Sequence, residues 1–272
     1  MLDTTATKAL HWGQKILEDE GIVTAHLDAV VLLEDNTGID RAKLLAEPQM
    51  ILTESAITRY RQQINERSRH LPLAYIRLKT EFYGYEFKLN RHVLVPRPES
   101  ENMIEELKQS NTINSTVIDL GTGSGALIIS AKNELPHINA YATDISPECI
   151  ALAKENAKYH RTKVTFFEGS LTRALPKGIW KSKIIILANL PYVPDSWKLD
   201  LAVLHEPKIA IFGGSDGLDV YRQLFNELKS TENKPSQVMT ESLPMQHSRL
   251  ISIAKKNGFK LISKNDFICT FA

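Results

Sequence analysis

Residues 116–130 read TVIDLGTGSGALIIS. An apolar run of strand length ends at Asp119 and Leu120, three glycines follow at alternate positions, and a second apolar run opens at Ala126. Strand, glycine loop and helix in that order form the first unit of a nucleotide-binding α/β sheet. Gly121, Gly123 and Gly125 permit backbone angles and a close approach that a Cβ would forbid. The loop Gly121, Thr122, Gly123, Ser124, Gly125 is therefore expected to cradle a nucleotide-like cofactor. The same letters satisfy a loose G-x-G-x-x-A dinucleotide fingerprint, so the loop alone does not say which cofactor.

Downstream, strand and helix patterns alternate. Residues 138–144 (INAYATD), 163–169 (KVTFFEG), 183–190 (KIIILANL) and 236–242 (SQVMTES) read as further strands, and 259–272 supply one or two closing ones. Helices are expected over 146–160 and 244–258. Alternation at this spacing predicts a doubly wound, mostly parallel sheet with every parallel strand's C-terminal end on one edge. Asp144 closes the second strand, where a carboxylate can accept the ribose hydroxyls of a bound nucleoside. Its competing role is an ordinary helix cap ahead of Ser146 and Pro147.

On that same edge the fourth strand ends in ANLPYVP, residues 188–194. Asn189 offers an amide that donates and accepts, Pro191 stiffens the backbone, and Tyr192 supplies a flat face. A strand end that needed only to turn would more often use Gly, Asp or Ser. Beside a glycine loop, this tetrad is placed to grip a small planar polar group next to the cofactor's reactive end.

Upstream, residues 1–75 carry helical periodicity. TAHLDAVVLLEDNTG (24–38) reads as a helix capped by Thr24, with Leu27, Val30, Val31 and Leu33 or Glu34 on its turns and Gly38 ending it. LTESAITRYRQQINERSR (52–69) repeats the design with Thr53 as cap, its charges expected on a solvated face. TEFYGYEFKLNRHVLVP (80–96) switches to alternation around Gly84 and predicts a hairpin over 79–95. Pro98 suits the first turn of a helix, with Glu99 and Glu101 at its positive end or, alternatively, acting as an acid/base pair. The expected organisation is a helical domain over 1–75, a β-hairpin linker over 76–97 and a sheet domain over 98–272.

Composition narrows the function classes. The 272 residues are 43% hydrophobic and 24% charged, as a globular protein with a substantial core requires. A formal net charge of +1 gives no whole-chain footprint for nucleic acid. Two cysteines, Cys149 and Cys269, without CxxC spacing speak against a zinc site or a disulfide framework and for a reducing compartment. His11, His26, His137 and His160 show no metal or triad spacing, and Trp12, Trp180 and Trp197 are expected to pack. The N-terminal stretch lacks a signal-peptide pattern and no apolar run reaches membrane-spanning length, so a cytoplasmic protein is expected.

Four segments taken in order make a resemblance specific. The hairpin segment with RPESE (97–101), VIDLGTGSGALIIS (117–130), ANLPYVP (188–194) and LHEPKIAIFGGSDGLDVYRQL (204–224) resemble the HemK/PrmC family of protein-(glutamine-N5) methyltransferases. The resemblance implies a seven-stranded class I methyltransferase (Rossmann-like) sheet with S-adenosyl-L-methionine as cofactor and a peptide chain release factor as protein substrate. It implies that Gly121–Gly125 and Asp144 hold the cofactor, that Ser170 and Leu171 border its adenine, and that Asn189, Leu190, Pro191 and Tyr192 hold the substrate glutamine. The helical domain would dock the release factor, and a monomer with no metal, no membrane and no direct nucleic acid is expected.

The chain departs from the family pattern at Leu190, where proline is usual, at Ser170, usually acidic, and at His205, usually Phe. Ser100 stands for Thr, and the closing segment KNDFICTFA suggests a short or irregular last strand. Leu190 should keep a carbonyl acceptor but loosen its loop. An adenine-N6 methyltransferase would use an N-L-P-Y tetrad on an exocyclic amine. A nicotinamide oxidoreductase fits the glycine loop and leaves the tetrad unexplained, and a binding module without turnover is the non-catalytic alternative.

Overall fold

The computed structural model describes residues 5–272. The chain divides into two compact units, one running up to Leu78 and including Asp200–His205, the other formed by Lys79–Leu199 and Glu206–Ala272. The short 200–205 segment thus leaves the sheet domain to which its position in the sequence assigned it.

The first unit is helical: α1 (Ala6–Asp19), α2 (Ala25–Thr37), α3 (Arg41–Ala46), α4 (Glu54–Arg67) and α5 (Leu73–Arg77). Thr53 caps α4 by accepting from the Ala56 N–H, and Gly38 ends α2 at φ 67°, a left-handed turn that suits glycine. Thr24 does not cap with its side chain; its hydroxyl donates to Asp28 at 2.9 Å. Leu27 is exposed on this helix, while Ala29, Leu32 and Leu33 are fully enclosed with Leu17, Tyr60 and Ile64.

The charges of α4 are not all solvated either. Arg67 donates to Asp28 of α2 at 2.7 Å in a largely buried pair, and the Arg59 guanidinium donates to the Asn36 carbonyl at 3.1 Å. Helix α1 meets α4 so closely that a Cβ on Gly13 would lie 2.0 Å from the Tyr60 hydroxyl oxygen.

The second unit opens with the hairpin β1 (Lys79–Phe82) and β2 (Tyr85–Lys88), paired Phe82 to Tyr85. Tyr83 at φ 52° and Gly84 at φ 72° make the two-residue turn, both in the left-handed region that such a turn requires. The hairpin is shorter than the 79–95 expected: 89–97 contains no strand, because Asn90 and the proline-rich end leave the alternating pattern. Pro98–Ser100 form a 3-10 turn ahead of α6 (Glu101–Gln109). Glu101 accepts from the Tyr83 N–H at 2.8 Å, which ties the start of α6 to the hairpin turn.

There follow β3 (Ser115–Leu120), α7 (Ala126–Glu134), β4 (Asn139–Asp144), α8 (Pro147–Tyr159), β5 (Thr165–Glu168) and β6 (Lys183–Ala188). The chain ends with α9 (Asp219–Lys229), β7 (Gln237–Glu241), α10 (His247–Lys256), β8 (Leu261–Asn265) and β9 (Ile268–Phe271). Seven strands lie in the order β5-β4-β3-β6-β7-β9-β8, parallel except for β9, which runs antiparallel to both its neighbours.

The doubly wound sheet is the fold class expected from the sequence. Helix α9 was not foreseen, although Tyr221, Leu224, Phe225 and Leu228 recur at helical spacing and are fully buried. The last strand is short but regular and buried; the irregularity falls on exposed β8, which bulges between Leu261 and Ser263.

One face of the sheet buries Leu224, Phe225, Phe259 and Phe271 beneath α9 and α10. The other buries Phe82, Phe87, Met103, Leu107 and Ile128 beneath the hairpin, α6 and α7. No helix among the described residues is long and apolar enough to cross a membrane.

Gly13→Ala should destabilise the helical unit by about 1–3 kcal/mol, because the added methyl must displace the enclosed Tyr60 ring. Chemical denaturation of the full chain checks this, and an unchanged transition would mean that α1 and α4 yield freely.

Candidate active site

A cleft of about 450 Å³, mouth included, opens at the C-terminal ends of β3 and β6. Asp119, Gly121, Thr122, Gly123 and Ser124 line one side and Asn189 another. Phe82 from the hairpin and Leu94, Pro96, Arg97 and Ser100 from the segment before α6 complete the wall.

That segment is fixed by Glu206. Its buried carboxylate accepts from the Val95 N–H at 3.0 Å and from the Arg97 guanidinium at 2.6 Å.

The three glycines serve different ends. Gly121, at φ 75°, donates its N–H to the Thr143 carbonyl at 2.9 Å, as Thr122 does at 3.0 Å, which pins the loop to β4. A Cβ on Gly121 would come within 3.0 Å of the Leu190 side chain, so loop and tetrad pack directly. Gly123, at φ 56°, would present a Cβ to open space. Gly125 lies outside the cleft lining; its missing side chain admits Ala153 of α8 and Ile129 of α7. The absence of a side chain at Gly125 thus serves packing between the two helices.

Asp119 is 2% exposed and accepts from the Thr122 hydroxyl at 2.6 Å. Burial, with a smaller push from Asp144, raises its carboxyl to about 7.

Asp144 does not line the cleft directly. Its carboxylate accepts from the Gly123 N–H at 2.8 Å and the Ser146 N–H at 2.9 Å, so it shapes the loop and the start of α8 together. Burial raises its pKa against those hydrogen bonds. Ser170 and Leu171 also lie off the cleft lining: the Gln223 amide donates to Ser170 at 3.3 Å, and Leu171, at φ 46°, is buried in the α9 face.

In the tetrad, Asn189 alone lines the cleft. Its Nδ2 donates to Ser100 Oγ at 2.7 Å, and Ser100 donates to Glu241 Oε2 at 2.6 Å. Tyr192 donates to Glu241 Oε1 at 3.0 Å. The buried Tyr221 hydroxyl accepts from the Leu190 N–H at 3.2 Å and has the carbonyls of Ala188 and Glu241 both within reach of its single proton.

Leu190 is buried, and its N–H bond counters the loosening expected where proline is usual. Behind the tetrad, the Val193 N–H donates to the Ile211 carbonyl at 3.0 Å and the Gly213 N–H to the Val193 carbonyl at 2.9 Å. A Cβ on Gly213 would sit 2.4 Å from the Pro191 carbonyl oxygen, and one on Gly217 would sit 2.0 Å from that of Tyr192. Those glycines are what let the two segments meet.

Sequence reasoning gave no role to Ser100, Glu206, Tyr221 or Glu241. Ser100 and Glu206 lay within quoted motifs, RPESE and HEP, whereas nothing local marks Glu241. Cys149 and Cys269 are buried thiols whose pKa values burial pushes up to about 12 and about 11, which removes them as nucleophiles near neutral pH. Among the described residues no group of three His, Cys, Asp or Glu could hold a metal ion.

The family described as the methyltransferase small domain matches residues 98–206, and that described as the PrmC N-terminal domain matches residues 8–77. A methyltransferase from Pyrococcus furiosus shares the fold at a TM-score of 0.51 and 16% identity, covering 76% of this chain and 96% of that one. A T. thermophilus 16S rRNA methyltransferase, solved with AdoMet and guanosine, does so at 0.51 and 15%, covering 71% of this chain and 49% of that one. With the sheet order and the cleft at its switch point, these define a class I methyltransferase fold.

Closer relatives specify more. The chain is 33% identical over 261 residues to the release factor glutamine methyltransferase of Geobacter sulfurreducens, covering 94% of this chain and 90% of that protein. The corresponding protein of Bacillus subtilis is 33% identical over 233 residues, covering 82% and 80%. The chain belongs to the release factor glutamine methyltransferase family.

The folded Asp119 pKa of about 7 exceeds that of a free carboxyl, so between about pH 4 and 7 the folded state holds a proton that the unfolded state has lost. Stability therefore falls as pH rises through that window. Asp119→Asn should be more stable than the wild type at pH 8, by roughly 4 kcal/mol at most, with the advantage fading toward pH 4. Thermal melts at the two pH values check the sign.

Proposed function

We propose that this protein transfers the methyl group of S-adenosyl-L-methionine to the side-chain amide nitrogen, N5, of the glutamine in the Gly-Gly-Gln motif of a peptide chain release factor. The observation that carries this reading is Asn189, lining the cleft beside the glycine loop with its NH₂ held by Ser100. Its Oδ1 is thereby left as an acceptor for an incoming amide.

The chemistry of the cleft suits a cationic nucleoside cofactor. Asp119 lines it with no cationic side chain paired to it among the described residues, and Arg97 is tied to Glu206. Gly123 leaves open space that a side chain would fill. A buried acid without a cation favours a sulfonium and an ammonium over a pyrophosphate. Gly121 to Gly125 and Asp144 would hold the cofactor, with Ser170 and Leu171 toward its base. When bound, S-adenosylmethionine supplies an electrophilic methyl group on a sulfonium.

The chain's own residues supply position. An amide nitrogen is a poor nucleophile because its lone pair is delocalised into the carbonyl. Asn189 Oδ1 and the Leu190 carbonyl would each accept one N–H of the glutamine, turning the lone pair toward the methyl group. Tyr192 and Pro191 would enclose the planar group and exclude water. No base is needed before transfer: the S–CH₃ bond would break as the N–CH₃ bond forms, and the alkylated nitrogen is acidic enough to give up its proton through the carbonyls that hold it as the product leaves for solvent. Alignment of this kind is worth roughly 7–11 kcal/mol. The helical unit would dock the release factor, and the protein would act as a cytoplasmic monomer without direct contact to nucleic acid.

Asn189→Ala should lower methyl transfer by about two to four orders of magnitude while cofactor affinity changes less than about threefold. Mass spectrometry of the labelled release factor locates the methyl group, and a glutamine-to-glutamate substrate should receive none. Label appearing on RNA adenine instead, or full activity of the Asn189→Ala enzyme, would sink the reading. Asp144→Ala should weaken cofactor binding by at least about tenfold, because the carboxylate that holds the Gly123 N–H and shapes the loop is lost, as calorimetry would show.

A further inference from the structure

Glu241 ends β7 with its side chain fully buried, and it takes part in no ion pair among the described residues. Two hydroxyls serve it, Ser100 at Oε2 and Tyr192 at Oε1. Ser100 Oγ in turn accepts from Asn189 Nδ2.

A serine hydroxyl carries one proton. Once that proton is committed to the carboxylate, Ser100 faces Asn189 only as an acceptor. Asn189 must then turn its NH₂ to Ser100 and its oxygen elsewhere. With Glu241 protonated, the chain can run backwards: Glu241 donates to Ser100, Ser100 donates to Asn189 Oδ1, and the NH₂ is left for the substrate. A glutamine NH₂ would then meet donors instead of acceptors.

We propose that Glu241, acting through Ser100, is a positioning residue that fixes the Asn189 amide with its oxygen toward the methyl acceptor. Its second oxygen holds the Tyr192 ring in the same way. The inference rests on Asn189 acting as the glutamine's acceptor, as argued above. Glu241 touches no reacting atom; it sets the direction of hydrogen bonds that reach one.

Burial raises the Glu241 carboxyl, Glu99 adds to that rise, and Ser100, Tyr192 and Arg97 oppose it. Tyr221, from α9, lies against its backbone carbonyl. The network therefore holds its working direction above that raised pKa and loses it as pH falls through it.

The experiment reads the amide itself as well as turnover. In ¹⁵N-labelled full-length protein, the Asn189 side-chain pair is identified by its loss in Asn189→Ala. At pH 8 the wild type should show two resolved, slowly exchanging amide protons, and Ser100→Ala should speed their exchange at least tenfold. Ser100→Ala should also cut kcat on release factor 10- to 100-fold with cofactor affinity within threefold, and Ser100→Thr, which restores the hydroxyl, should recover most of it. Glu241→Asp, too short to reach Ser100, should lose at least as much, and adding Ser100→Ala to it should cost no more than a further threefold.

Unchanged amide exchange in Ser100→Ala, a kcat within twofold of the wild type, or losses that multiply in the double variant would overturn the proposal. If Glu241→Asp fails to fold, Ser100→Ala still decides. A wild type that methylates no release factor would instead overturn the proposed function, and the amide signals would still judge this inference.

Discussion

Strands β3 and β6 lie side by side in parallel, and the chain leaves them toward opposite halves of the sheet. That reversal of strand order is the constraint from which the rest follows. The connection after β3 turns toward β4, the one after β6 turns toward β7, and a crevice must open between them at the strands' C-terminal ends. The first lip of the crevice is the glycine loop and the second is the tetrad, so two segments some seventy positions apart become neighbours. The contact that a Cβ on Gly121 would make with Leu190 measures how close the lips come.

A crevice whose lips are backbone ends must satisfy their free N–H and C=O groups away from water. Tyr221 joins the ends of β6 and β7 with one hydroxyl, which accepts from the Leu190 N–H and shares its single proton between the Ala188 and Glu241 carbonyls. Its burial then leaves Glu241 in a dry environment. An ionised carboxylate there is costly unless its oxygens are hydrogen-bonded, and hydroxyl donors to a charged acceptor are among the stronger partners available. The polar network behind the tetrad is therefore a consequence of how the strand ends are closed.

Much of this was legible from residue order, because strand periodicity and glycine spacing are local signals. The sheet class, the glycine loop and the adjacency of loop and tetrad follow from strands that end on one edge. Asp144 was legible as a residue at that edge but not as the acceptor that shapes the loop around Gly123, which depends on side-chain rotation. Helix α9 was present in the spacing of Tyr221, Leu224, Phe225 and Leu228, although no strand-and-helix alternation marks it. Ser100 and Glu241 stand 141 positions apart, and no local pattern can signal a hydrogen bond made by tertiary packing. At Gly125 the motif letter was legible but not the close approach of two helices that its missing side chain allows.

Leu190 sits where the two lips of the crevice meet. Proline, usual at that position in the family it resembles, would stiffen the loop by fixing φ but has no N–H to give. Leucine surrenders that rigidity and gains a donor, which the Tyr221 hydroxyl accepts, while its side chain fills the space against Gly121. The carbonyl that would receive the substrate is thus held from both sides of its residue, by a hydrogen bond at the nitrogen and by packing at the side chain. Rigidity at a functional strand end is obtained here by tertiary contacts in place of a covalent ring. For that reason the substitution need not loosen the tetrad or turn it toward a different nitrogen acceptor.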